Sequence, residues 1–483
     1  MTHKRKIDSD QAPILLLAGT GFIIRNLLLG TFADEVLAHR PLVVAVQNPD
    51  DERLREIVRG KAIKMTDFPE RPYPPSVFPY TAFSWQTYMY RFKEAEKGTK
   101  AVELQSRLYN SRPSPLAKAA SRTLSGTARL LKRAGLMGAV EDRYLRSIAR
   151  WPVTERWAAI LDQHEPAVVV SSMLTLCTMT WVSCDLPVVS AARGRGIPSG
   201  TLVQSWDNLS SKTAVLPPWL DRYWTWSETM TEELLTLNPR VPRNRVRIVG
   251  SPQFDFHVRR ELVEPRERYL SALGLDSARP VVVMGTGTAV RTPAEPETVL
   301  ALIEAMAKAL PRCQALIRLH PKDHGSRWTV LRPRLEALGA VIQETAPPVH
   351  MDKGGFVPPR DFYRDQVNCL AHAAVVINTS STLTVDASIL DRPVICLGYD
   401  IAPDSKFPEG RAWAYTQSTH YARLVSTGGV KVVRSQAECL AAIERYLAEP
   451  GLDREGRREI VAVVTAVADG GAGARLAREV LQL

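Results

Sequence analysis

The chain has 483 residues, a formal charge of +11 and an ordinary soluble composition. That length suffices for two or three domains with buried cores, and no apolar run reaches the 18 residues of a spanning helix. The positive balance favours an anionic partner, but no zinc-finger, helix-turn-helix or RNA-recognition signature is present, so nucleic acid is not expected.

The start, MTHKRKIDSDQ, is basic, and the short run ILLLAG after it reads as a strand rather than a secretory apolar region. A cytoplasmic protein is therefore expected. Short apolar runs, many of them fully apolar, then recur in two series. The first is Ile14–Ala18, Leu42–Gln47, Ala167–Ser171, Thr201–Gln204, Tyr223–Ser227 and Val246–Val249. The second is Val281–Met284, Ala315–Leu319, Val341–Gln343, Val375–Asn378 and Val394–Leu397. Helix-length amphipathic segments separate them. Uniformly apolar strands between helices indicate parallel sheets buried on both faces. The predicted fold is α/β, two doubly wound Rossmann-like domains facing each other across a cleft. We place the first domain at 1–262 and the second at 276–483, with the last helices packing back on the first. The charged segment Arg259–Pro280 reads as a helix and linker.

Residues 80–150 break the alternation with long, basic helical patterns. In SPLAKAASRTLSGTARLLKRAG, Leu116, Ala120, Leu124 and Leu131 fall on one face. Lys118, Arg122, Arg129 and Arg133 fall roughly opposite. Two readings stay open: a helix packed on its own domain with a solvated basic face, or contact with an anionic membrane surface or lipid-borne acceptor. The acidic run NPDDER, at 48–53, reads as a solvated loop rather than a Mg²⁺ site. The six cysteines form no C-x-x-C pair and read as buried reduced thiols.

Four motifs carry candidate chemistry. In TLVQSWDNLSSK, a first-domain strand ends beside Trp206 and Asp207, with Lys212 following. Asp207 is either a general base or a cap of its turn. In VVVMGTGTAVRTP, a strand runs into glycines that permit close backbone approach, with Thr286 and Thr288 offering hydroxyls. It is neither a Walker A loop nor a G-x-G-x-x-G fingerprint. In ALIRLHPKDH, Arg318, His320 and Lys322 share one side if the chain stays extended, a cationic wall suited to a diphosphate. In VVINTSSTLTVDASILDRPVI, a buried strand ends in hydroxyls where a helix begins. Ser380, Ser381 and Thr382 there suit a phosphate, and Asp386 falls within reach of a ribose or sugar hydroxyl. Helix capping by serine is the plainer alternative.

The residues RLHPKD, INTSSTLTVDASILDRPVI, SWDNLSSK, VRIVGSPQFD and the terminal ADGGAGARLAREVL together carry a resemblance. Over roughly residues 200–483 the chain resembles the GT-B superfamily of glycosyltransferases. Within it, the chain is similar to bacterial surface-polysaccharide transferases related to the CDP-glycerol glycerophosphotransferases. In those enzymes a Trp-His-Gly tripeptide supplies a histidine base, and Asp207 stands where that histidine would stand. The resemblance therefore implies an inverting, metal-independent sugar transferase with no cofactor beyond a nucleotide-sugar co-substrate. Asp207 would take the acceptor proton, and His320 would stabilise the leaving phosphate. Thr286, Thr288, Arg318, Lys322, Ser380, Ser381, Thr382 and Asp386 would bind the donor. The implied acceptor is a bacterial surface glycan or lipid-linked glycan, met in the cytoplasm or on the inner face of the membrane. Three rivals stay open: a glycerophosphotransferase, a nucleotide-sugar 2-epimerase that needs no acceptor, and a non-catalytic nucleotide- or glycan-binding subunit.

Overall fold

Apolar runs lacking helical spacing become strands, and their burial on both faces requires helices on each side. The computed structural model describes residues 11–69, 92–93, 96–109, 115–172, 174, 185–212, 215–323, 325–345, 357–402 and 404–483. In the first domain β1 is Ile14–Leu17, β2 Leu42–Val46, β3 Ile63–Asp67, β4 Val168–Ser171, β5 Ser199–Leu202, β6 Arg222–Thr225 and β7 Val246–Ile248. They form one parallel sheet in the order β3-β2-β1-β4-β5-β6-β7. In the second domain β8 is Val281–Gly285, β9 Gln314–Arg318, β10 Val341–Gln343, β11 Val375–Asn378, β12 Val394–Leu397 and β13 Lys431–Val433. Their order is β10-β9-β8-β11-β12-β13, again parallel throughout. The fold is thus the expected pair of Rossmann-like α/β domains.

Two strands escaped the sequence reading, β3 and β13, each at a sheet edge. β3 reads IKMTD and is only half-buried, and β13 has three residues, one of them exposed. Edge strands need bury only part of their surface, so they can lack the apolar run that marks central ones, as β3 and β13 do, although the other two edges, β7 and β10, keep one. Strand order reverses at β1/β4 in one sheet and at β8/β11 in the other. A ligand crevice is expected outside the carboxyl ends at both switch points.

Among the described residues, three of the segments that join the domains stand out. The helix Arg266–Ala272, within the charged segment, rests on the second domain: Arg266 donates to the His372 carbonyl at 2.6 Å. At the chain's end, the helix Ala472–Leu481 packs on the first-domain helix Thr31–Leu37. Asp255 accepts from the Ala472 and Gly473 N–H groups at 3.0 and 2.9 Å, and from the Thr31 hydroxyl. A Cβ on Gly473 would fall 2.0 Å from Thr31 Oγ1, so the approach requires glycine. SPQFD and ADGGAGA are therefore two halves of one structural clasp. Third, the insert helix Lys100–Tyr109 docks on the second domain, with Leu104 among Phe407, Ala414 and Tyr415. Arg107 pairs with Glu409 at 2.7 Å.

Among the described residues no helix is long and apolar enough to cross a membrane. Cys313, Cys369, Cys396 and Cys439 are free and buried, while Cys177 and Cys184 lie outside the described residues. In NPDDER, Asp51 caps the helix Glu52–Val58, accepting from the Arg53 and Leu54 N–H groups.

Candidate active site

The loop after β5 brings its side chains to the cleft. Trp206 is buried, and its indole N–H donates to Thr382 Oγ1 across the cleft at 3.2 Å. Its ring meets His420 edge-on at 5.0 Å. Asp207 occupies the N-cap position of the short helix Asn208–Ser211, yet its carboxylate accepts no backbone cap bond. It accepts from Ser211 Oγ at 3.0 Å and lies 3.7 Å from Lys212 Nζ. Burial opposes its ionisation. Lys212, His420, Ser205 and Arg291 outweigh that effect and hold the carboxyl well below the usual carboxylate range. Asp207 is thus a fixed anion facing cations from both domains. The loop is anchored from outside by Lys97, which donates to the Leu209 and Lys212 carbonyls at 2.9 Å.

On the opposite wall the chain does not stay extended after β9. It turns at Pro321, and the Asp323 N–H closes on the His320 carbonyl at 2.7 Å. The turn separates the expected cationic row. Arg318 points back into its own domain, donating to Gln343 Oε1 at 2.7 Å. His320 and Lys322 stay together near the cleft. His320 Nδ1 accepts from the Lys322 N–H at 3.0 Å, which leaves the proton of the neutral ring on Nε2. Burial, with Lys322 and Arg291 nearby, pushes the imidazole down to about 3. The His320 N–H donates to Thr286 Oγ1 at 2.9 Å, so that threonine positions the histidine. The Lys322 ammonium lies over the Phe22 ring of the first domain, 5.2 Å from its centroid. Burial pushes Lys322 down, and repulsion from Lys212 adds to it. Lys212 is itself pushed down by burial, with Arg291 adding repulsion against Asp207. Three cations, Lys212, Arg291 and Lys322, thus converge on the cleft, with the Asp207 carboxylate beside Lys212. Such a gathering is costly when empty of anions and favourable with one bound.

The loop after β8 is held in place by a buried network. Glu295 accepts from the Gly287 N–H at 2.8 Å and pairs with Arg327, which also meets Asp323. Thr288 is half-buried and its carbonyl receives the Arg291 N–H at 2.9 Å, which starts the turn carrying Arg291. The arginine side chain lies over Tyr415 at 4.5 Å. A Cβ on Gly285 would fall 2.1 Å from Leu383, so this strand end abuts the hydroxyl loop closely.

The hydroxyl loop after β11 spends most of its donors internally. Ser380 is buried in a left-handed conformation, φ 49°, and its N–H and hydroxyl face Cys396 Sγ at 3.3 and 3.6 Å. The Ser381 N–H goes to Asn378 Oδ1 at 3.0 Å. Ser381 Oγ accepts from the Leu383 N–H at 3.3 Å, a local turn bond just before the seven-residue helix Leu383–Ile389, whose N-cap residue is Thr382. Thr382 alone of the three reaches across the cleft, to Trp206. Asp386 is buried at the domain junction. It accepts from Gln366 at 3.1 Å and lies 3.2 Å from His257 Nε2. Burial pushes its carboxyl up to about 7, and burial pushes His257 down to about 3.

The site therefore unites Asp207, His320, Lys322 and Thr382, supported by Thr286 and Thr288. It turns Arg318, Ser380, Ser381 and Asp386 toward internal partners. Sequence reasoning missed Arg25, Lys212 as a cleft cation, Arg291 and His420. Arg25 lies over Phe22 and over Phe362, 5.3 Å from each centroid, and donates to Gln253 at 3.1 Å. A usable signal existed: β1 is followed by Gly19-Thr20-Gly21, and β8 ends in Gly285-Thr286-Gly287. One G-T-G stands at each switch point, with Arg25 and Arg291 four residues beyond its last glycine. Among the described residues no three His, Cys, Asp or Glu side chains are grouped so as to hold a metal ion.

No family model matches the chain, and no curated protein matches its sequence. Solved structures do match. A UDP-GlcNAc 2-epimerase from Neisseria meningitidis, bound to UDP-GlcNAc, has a TM-score of 0.55 at 13% identity, covering 98% of this chain and 100% of that one. A glycosyltransferase from Rickettsia africae has a TM-score of 0.52 at 9% identity, covering 98% and 99%. HepE of Anabaena, in complex with UDP, has a TM-score of 0.51 at 10% identity, covering 98% and 100%. These likenesses establish a GT-B-type fold along nearly the whole chain.

Proposed function

We propose that the protein is an enzyme acting on a nucleotide-activated sugar, and that it transfers the sugar to a hydroxyl of a surface-glycan or lipid-linked acceptor. The observation that carries this reading is the convergence of Lys212, Arg291 and Lys322 on one cleft beside the ionised carboxylate of Asp207. A diphosphate suits those cations. The solved neighbours include proteins holding UDP or UDP-GlcNAc, which supports the nucleotide half.

In this reaction the acceptor oxygen bonds to the anomeric carbon as the bond from that carbon to the phosphate oxygen breaks. The electron pair leaves with the nucleoside diphosphate. Lys322, Arg291 and the Nε2–H of neutral His320 stabilise that growing charge. The acceptor proton passes to Asp207. Asp207 is a weak base, because its neighbours favour its ionised form. A weak base cannot readily strip a proton from carbon. It can take one from an alcohol oxygen that is already bonding to the anomeric carbon and so becoming acidic.

A second reading, 2-epimerisation of the donor alone, is favoured by the likeness to UDP-GlcNAc 2-epimerases over 98% of the chain. Proton NMR in D₂O separates the two. Transfer releases nucleoside diphosphate in proportion to added acceptor and leaves hydrogen at C2 of the sugar. Deuterium at C2 with a 2-epimer, and no need of acceptor, would establish the second reading instead.

A further inference from the structure

We propose that the corner between the helices Pro115–Arg133 and Met137–Ile148 docks on an anionic lipid bilayer. Two large apolar side chains stand in solvent there: Leu130 is 66% exposed and Leu136 is 51% exposed. Arg129, Lys132 and Arg133 lie beside them and are exposed, as is Arg122 further along the same helix. Ala128, by contrast, is fully buried, so the helix has an inner face and Leu130 is not on it.

The charge of this region is one-sided for a structural reason. Residues 115–150 hold eight basic residues and two acidic ones, Glu141 and Asp142. Both carboxylates are consumed from within. Glu141 pairs with Lys93 at 2.7 Å and with Arg240 at 3.2 Å, and Arg240 also meets Asp142 at 2.5 Å. The outer surface keeps the cations, including Arg146 and Arg150 on and just beyond the second helix. Exposed leucines ringed by basic side chains suit a membrane interface. The leucines enter the acyl boundary while the cations meet anionic headgroups. A protein partner would have to match the same cations with acids of its own, whereas an anionic bilayer supplies them at any orientation.

The corner is also tied to the catalytic loop. Lys132 donates to the Glu96 carbonyl at 2.9 Å, and the next residue, Lys97, holds the Leu209 and Lys212 carbonyls. A bilayer at the corner would therefore stand one short segment from Asp207, the arrangement an acceptor carried on a lipid requires.

Flotation tests this with the full chain and phosphatidylcholine vesicles, with or without phosphatidylglycerol. Binding is expected only to the anionic vesicles, and raised salt should abolish it. Replacing Arg129→Gln with Arg133→Gln should weaken partitioning roughly 30-fold, at about 1 kcal/mol per basic residue near the surface. Leu130→Ser with Leu136→Ser should weaken it roughly tenfold or more. These side chains are exposed, so melting curves should match the wild type, and the salt titration of the wild type decides independently of any variant. No flotation at low ionic strength, equal binding to uncharged vesicles, or variants that float like the wild type would each overturn the proposal. So would a dimer that the leucine changes convert to monomer while the wild type fails to float.

Discussion

The loops after β5 and after β11 end strands in different domains and meet at one hydrogen bond, Trp206 to Thr382. They use their polar side chains in opposite ways. The β11 loop is rich in hydroxyls but makes most of its bonds internally: the Ser380 N–H and hydroxyl face Cys396, the Ser381 N–H goes to Asn378, and Ser381 Oγ accepts from the Leu383 N–H. The β5 loop is poorer in such groups but presents Asp207 and Lys212 to charges across the cleft. The difference teaches that donor count in a sequence does not measure donor availability. A hydroxyl already bonded inside a loop contributes to the loop's shape, and only a group without a sufficient internal partner favours a ligand.

The largest effect expected from this contrast falls on Asp207. Asp207→Asn keeps the side-chain size and the bond from Ser211 but cannot accept a proton. Sugar transfer should fall by roughly 10²–10⁴-fold, the span of general-base catalysis, while nucleotide affinity does not fall, since the charge removed is the anion beside Lys212. Near-normal product formation by this variant would make Asp207 a structural residue. Next comes Arg291. Its replacement by glutamine removes one of three converging cations and should weaken nucleoside diphosphate binding roughly tenfold or more, a charged hydrogen bond contributing about 1.5–3 kcal/mol. Calorimetry showing unchanged affinity would move the phosphate site elsewhere.

A smaller effect concerns the junction. The folded Asp386 carboxyl, raised to about 7 from an ordinary 3.8, binds its proton more tightly than the unfolded chain does. Its contribution to stability is therefore full below about pH 3.8 and is lost as pH rises through about 7. Asp386→Asn preserves an acceptor for Gln366 and abolishes this titration. Denaturant melts should show the variant gaining relative to the wild type between pH 4 and 8 (a window of about these limits, set by the two pKa values). A constant difference across that window would show that Asp386 is ionised in the fold throughout.

Much of this architecture was legible from the chain. Uniformly apolar runs such as Val281–Met284 mark central parallel strands because both faces must be buried. The edge strand IKMTD, half in water, carries no such mark. The site was legible where a residue's position follows from a strand end, as for His320 and Asp207. It was not legible where a turn redirects the chain. Pro321 ends the extended run, so Arg318 and Lys322 part company. Nor can one sequence show that Lys212 of one domain repels Lys322 of the other, because that interaction exists only once the two sheets face each other. The motifs SPQFD and ADGGAGA belong to a third class, visible as motifs but structural in use, since Asp255 clasps the terminal helix.

The central claim is that charge across the cleft, rather than the hydroxyl loop, holds the donor's diphosphate. It is tested most directly by titrating one nucleoside diphosphate, chosen from a panel by thermal shift, into two double variants side by side. Lys212→Met with Arg291→Gln should lose binding by roughly 100-fold or more, two charged contacts being removed. Ser380→Ala with Ser381→Ala should bind within a few-fold of the wild type and show its change in the melting curve instead, since a lost hydrogen bond inside the loop costs about 0.5–1.5 kcal/mol of stability. The reverse outcome, serine variants that melt normally but fail to bind while the cation variants bind like the wild type, would contradict the account.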